Sequence, residues 1–97
     1  MPTDPFFHML IDDVFSIRNR RTVVTGKIDT GTLKPGDEVL IRGENGDKRV
    51  VVTGIEAFKK TLDQANQSDM VGILLAQISG DDVKQGNELL SPDSGRQ

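Results

Sequence analysis

The sequence predicts an all-β chain that closes into a six-stranded antiparallel barrel, and three observations carry that prediction. Short runs rich in Val, Ile and Thr recur along the whole length, each bounded by Gly, Pro, Asn or Asp. Aromatic residues are only 4% of the 97, so the core must rest on Val, Ile and Leu, which suits a small barrel better than a large enclosed site. Turn signals fill nearly every interval between the apolar runs, and a sheet of this size avoids exposed edges by closing on itself.

Residues 1–5, with Pro2 and Pro5, read as a loose lead-in. The first strand is expected over 6–17; it is apolar in nearly every position as far as Ile11, which argues for cover on both sides. Residues 18–21 connect it to a second strand over 22–30, in which Gly26 marks a bulge or a close backbone approach. Leu33-Lys34-Pro35-Gly36-Asp37 places Pro and then Gly at turn positions, so the chain reverses there. A third strand over 37–42 leads into a hairpin loop at 43–47, rich in Gly and Asn.

The fourth strand is expected over 48–58, with Gly54 inside it. Residues 59–69 are polar without a strand pattern and read as a loop crossing the barrel end. A strongly apolar fifth strand covers 70–78, and SGDDVKQG at 79–86 has the caps of a single helical turn. Residues 87–91 close the sheet as a sixth strand, and 92–97 form a tail. No internal repeat stands out. The expectation is one domain over 1–97 with an ordered core at about 6–91. The opening MPTDPFF and the polar finish fit a stand-alone protein slightly better than a piece of a longer one.

Composition bounds the chemistry. The formal net charge of −3 argues against broad coating of nucleic acid, and no interaction with DNA is expected. Cysteine is absent, which removes disulfides and thiolate chemistry and fits a reducing cytoplasm. No apolar run is long enough to span a membrane and no secretory leader is visible, so no membrane partner is expected. No G-x-x-x-x-G-K-[ST] stretch occurs, so no GTP site or other nucleotide cofactor of the P-loop kind is expected. His8 is the single histidine, at the start of an apolar strand, and reads as a strand residue rather than a base or ligand. One histidine and no cysteine exclude the usual zinc sites. Asp12 and Asp13 are neighbours along an expected strand, pointing to opposite faces, and cannot share a proton. No nucleophile–base set can be assembled, so the chain is not expected to be an enzyme.

The ordered blocks DDVFSI, TVVTGKID, GTLKPGDEV, TGIEAF and VGILL resemble the second, β-barrel domain of elongation factor Tu, over about residues 7–91. The resemblance implies a translation-factor barrel and a role in protein biosynthesis without the GTP-binding domain. In that family the barrel helps to hold the aminoacylated 3′ end of tRNA. By resemblance, Asp12, Asp13 and Phe15 correspond to the amino-acid pocket, Ile17, Val23 and Leu74 to the lining of the terminal adenine site, and Glu56 to the carboxylate that contacts this adenine. An apolar slot beside a carboxylate suits a base face with its polar edge. Core packing accounts equally well for Phe15, Ile17, Val23 and Leu74, whereas carboxylates are disfavoured in strands and ask for another reason. The sequence departs from the family at Met70, where an asparagine is usual, at Ser68 for a glycine, and at Gln85 for a basic residue facing the tRNA. Tight free-standing aminoacyl-tRNA binding is therefore not expected of this one domain.

Another departure adds charge. Arg18, Arg20 and Arg21 crowd the first connecting loop, which faces the small ribosomal subunit in the family. Three arginines suit phosphate contacts, although arginines also simply keep a turn solvated. Lys59 and Lys60, or Lys48 and Arg49, extend the patch if the fold brings them to the same face. The leading expectation is a non-catalytic module that docks tRNA, ribosomal RNA or a translation factor. The alternative is a protein–protein or self-association module, using around Ile17, Val23 and Leu74 the surface that faces the GTPase domain in the family.

Overall fold

The computed structural model describes residues 7–17, 21–44, 46–76, 78 and 82–92, with Ile17 and Arg21 described in main chain only. Eight strands are present: β1 (His8–Leu10), β2 (Asp13–Ile17), β3 (Arg21–Thr30), β4 (Glu38–Gly43), β5 (Gly46–Ala57), β6 (Lys60–Leu62), β7 (Met70–Leu75) and β8 (Glu88–Leu90). Six of them close a barrel. β1 pairs with β8, β8 with β4, β4 with β5, β5 with β7, β7 with β3, and β3 returns to β1, all antiparallel. The six-stranded closed barrel is therefore the fold. β2 and β6 flank it, making a five-stranded sheet in the order β2-β3-β7-β5-β6.

The barrel is filled mainly by alternate side chains, as the two-residue pleat demands, with the alternation in β5 reset by a bulge between Val52 and Gly54. Val24 and Ile28 point inward from β3, Ile73 and Leu75 from β7, Val52 and Ile55 from β5, all at most 1% exposed. Thr22 is the one buried polar side chain among the described residues, and its hydroxyl donates to the Ile78 carbonyl oxygen at 2.7 Å.

Two expectations need correction. The strand over 6–17 is not continuous: β1 ends at Leu10 and β2 begins at Asp13, paired with a different stretch of β3. The cause is Gly26, over which the chain crosses. A Cβ there would collide with the Leu10 carbonyl oxygen and press on the Met9 side chain, so the approach is one only glycine permits. Residues 59–69 are also not all loop, because β6 folds back on β5, pairing Ala57 with Lys60. Three residues are too few to show alternation. Of the helical turn expected over 79–86, positions 79–81 lie outside the described residues, and the chain turns at Gln85 and Gly86.

The structure reveals a repeat that the sequence reading passed over. LKPGDEV (33–39), ANQSDMV (65–71) and VKQGNEL (83–89) are three copies of one device. In each, the first and last residues are buried: Leu33 and Val39, Ala65 and Val71, Val83 and Leu89. The carboxylate or amide of Asp37, Asp69 or Asn87 accepts from the main-chain N–H three residues earlier, at 2.8–2.9 Å. The residue before it takes positive φ: Gly36 98°, Ser68 76°, Gly86 92°. That residue's N–H donates across the barrel to Val52, Ile28 or Ile11, and the same core residue's N–H donates back to the carbonyl of Asp37, Asp69 or Asn87. Each turn thus clamps a core residue in a neighbouring segment, then launches a barrel strand.

The three turns differ in one informative place. Ser68 occupies a left-handed position that glycine fills in the other two, at a cost of about 1 kcal/mol. Ser68→Gly is expected to stabilise the fold by about that amount and Gly36→Ala to destabilise it similarly, read by urea unfolding. Gly26→Ala should cost more, about 2 kcal/mol or above, because backbone has to move.

Candidate functional site

The register fixes which side chains share the outer face of the five-stranded sheet. One rung crosses Asp13, Thr25, Gly72 and Glu56; the next crosses Phe15, Val23, Leu74 and Gly54. Beyond the first rung, Lys27 sits opposite Met70. Asp13, Phe15, Val23, Glu56 and Leu74 come from four strands and nevertheless lie on two adjacent rungs. From β2 to β5 the face is about 14 Å wide.

These side chains are not core. Phe15 is 52% exposed, and Val23 and Leu74 are only half-buried on the face away from the barrel interior. Packing inside the barrel therefore does not explain why these positions are apolar. Asp12 stands one residue ahead of β2, exposed, with its N–H donating to the Thr25 carbonyl oxygen at 2.7 Å, and takes no part in the rungs. Ile17 is opposite Arg21 in the last rung of the β2–β3 hairpin, and its side chain lies outside the described residues.

The glycines shape the floor. Gly72 has no side chain between Thr25 and Glu56, and a Cβ there would meet only ordinary contacts, nearest Val23 at 3.5 Å. An open groove of about 420 Å³ lies over it, lined among others by Val23, Thr25, Glu56, Phe58, Lys59 and Met70. Val23 and Glu56 belong to the set expected from the sequence; Asp13, Phe15 and Leu74 share the face without lining the groove. Thr25, Gly72 and Phe58 were not singled out. The signal for Gly72 was the VG pair inside a strand, where a missing side chain marks close approach or open space.

Arg18 and Arg20 lie outside the described residues, and Arg21 begins β3. The described residues that bound this stretch, Ile17 and Arg21, form the last rung of the β2–β3 hairpin, at the Phe15 end of the same sheet. Lys59 and Lys60 belong to the β5–β6 hairpin, next to the groove. Lys48 and Arg49 pair with β4 instead, and Arg49 donates to Glu38 at 3.0 Å, so they are not part of this face.

His8 has a structural place. Its two ring nitrogens lie 3.1 Å from Asp29 Oδ2 and 3.1 Å from Glu88 Oε2, tying β1 to both strands that flank it. Because opposite nitrogens face the two carboxylates, the three groups cannot converge on one cation. No cluster of three His, Cys, Asp or Glu among the described residues is arranged to hold a metal ion. No helix among them is long and apolar enough to cross a membrane.

The elongation factor Tu domain 2 family model matches residues 21–90, most of the chain, and the chain belongs to that family. The match begins at β3 and runs to the end of β8. Domain 2 by itself is a non-catalytic β-barrel of translation factors.

Because the outer-face residues are not needed by the core, replacing them should leave the fold intact. Phe15→Ser and Glu56→Gln are each expected to change unfolding free energy by no more than about 0.5 kcal/mol. Ile73→Ala, one residue from Leu74 but pointing inward, should cost about 2–5 kcal/mol by the same measurement.

Proposed function

We propose that this protein is a non-catalytic, translation-associated module that docks RNA on the outer face of its five-stranded sheet. The observation that carries the reading is the convergence of Asp13, Phe15, Val23, Glu56 and Leu74 on two neighbouring rungs, beside a groove floored by Gly72. Half-exposed apolar side chains offer a base a flat, water-poor surface. Glu56, exposed at the groove, can accept from an exocyclic amino group or a ribose hydroxyl. Family membership supports a translation component as the partner, tRNA or ribosomal RNA. The module works in the cytoplasm without a nucleotide cofactor of its own.

The arginine loop supplies the long-range attraction. The overall charge is −3, so affinity must come from local cations at Arg18, Arg20 and Arg21. If these residues meet three phosphates of single-stranded RNA, log affinity falls against log salt with a slope of about −2. Changing all three to Glu is expected to abolish retention on an RNA column. Retention equal to the parent's would remove the loop from the reading. Concentration-dependent dimerisation that survives the triple change and is lost in Val23→Asp would replace RNA by a protein interface.

A further inference from the structure

Three residues other than glycine hold left-handed main chain among those described, and two of them are adjacent. Phe58 has φ 55° and Lys59 φ 66°. They form the two-residue loop between β5 and β6, closed by the Ala57–Lys60 pair. Positive φ at both loop positions is the type I′ hairpin turn, which prefers Asn-Gly. Phe and Lys both oppose it, since a bulky side chain rarely accepts that conformation.

Packing gives nothing back. Phe58 is 90% exposed, the most exposed large hydrophobic side chain among the described residues. Neither Lys59 nor Lys60 has an ion-pair partner among them. A turn that breaks the local residue rule and gains no compensating contact in the fold points to a role outside it. The position agrees, because Phe58 and Lys59 line the groove over Gly72.

We propose that Phe58 is a stacking anchor for a base of single-stranded RNA at the rim of this groove. The inference rests on the RNA-docking reading above and adds a residue to it. An aromatic ring standing in water presents a π face on which any base can stack, in a manner tolerant of sequence. Lys59 lines the groove with the ring and Lys60 follows it at the start of β6, two cations without an ion-pair partner among the described residues that could meet a sugar–phosphate chain. Lysine is depleted in protein–protein interfaces, so this pairing of ring and cations favours RNA over a protein.

The test uses the full chain, a fluorescein-labelled single-stranded oligoadenylate and anisotropy at low salt, with thermal unfolding of each variant. Phe58→Ala and Phe58→Asn are expected to weaken binding about 5- to 100-fold. Phe58→Asn should at the same time melt higher than the parent, because Asn suits the turn. The chain contains no Trp or Tyr, so Phe58→Trp introduces a single indole; it should retain binding, with fluorescence quenched by the RNA. If Phe58→Asn binds like the parent while Val23→Asp binds weakly, the anchor is wrong and the docking face stands. An unquenched indole in a bound complex also overturns the anchor. If the parent itself does not bind, both readings fall.

Discussion

The fold hangs on a reciprocal main-chain clamp used three times. In each copy a side-chain oxygen of Asp or Asn satisfies the N–H at the start of a turn, and the turn then exchanges two hydrogen bonds with a core residue in a neighbouring segment. The side-chain bond does what an Asx-type cap does in any turn, holding polar main chain that would otherwise be left bare. The clamp adds long-range content: Gly36 reaches Val52, Ser68 reaches Ile28, and Gly86 reaches Ile11. Buried residues flank every copy, so the turn and the core fix each other's position. A small barrel with few aromatics has little hydrophobic surplus; directional bonds that set strand register relieve the core of that task.

Register then determines the surface. Once the clamps hold Val52 and Ile28 inward, the pleat sends Val23 outward and, through its pairing, Leu74 with it, while the bulge in β5 resets the alternation so that Ile55 faces in and Glu56 out. The bulge in β5 between Val52 and Gly54 shifts the pairing, so Gly54 rather than a side-chain-bearing residue meets Leu74. Gly72 thins the neighbouring rung in the same way. The outer face is therefore a consequence of inner packing in its positions, but not in its residue types. Apolar groups on a solvent-facing rung contribute little to the barrel, and their presence has to be explained by what meets them.

Most of the barrel was legible because its signals are local. Val, Ile and Leu runs gave five of the six barrel strands to within a few residues, and Pro35-Gly36 and the Asn-Gly hairpin gave turns that depend on backbone preference alone. What escaped was long-range. The crossing of Leu10 over Gly26 divides one apolar run into two strands, and nothing in that run announces it. The threefold clamp was hidden because its copies share only buried first and last residues, a left-handed fourth position and an Asx residue after it, on different backgrounds. At the site, the resemblance supplied Val23, Leu74 and Glu56, yet whether they faced core or solvent was open until the register settled it. Phe58 was missed because a two-residue turn of Phe and Lys carries no turn signal.

That last failure separates two kinds of strain. Ser68 and Phe58 both break the preference for glycine at positive φ. Around Ser68 the reason is internal: its N–H bonds Ile28, its neighbour Asp69 caps the turn, and Ala65 and Val71 anchor both ends in the core. The surrounding structure over-determines the conformation, and a serine there is tolerated. The Phe58–Lys59 loop has no such frame. It is closed by a three-residue strand, carries an exposed ring, and draws no core residue toward it. Strain that the fold explains belongs to the fold. Strain that it does not explain, placed on a groove that Lys59 also lines, is better accounted for by a ligand than by the barrel.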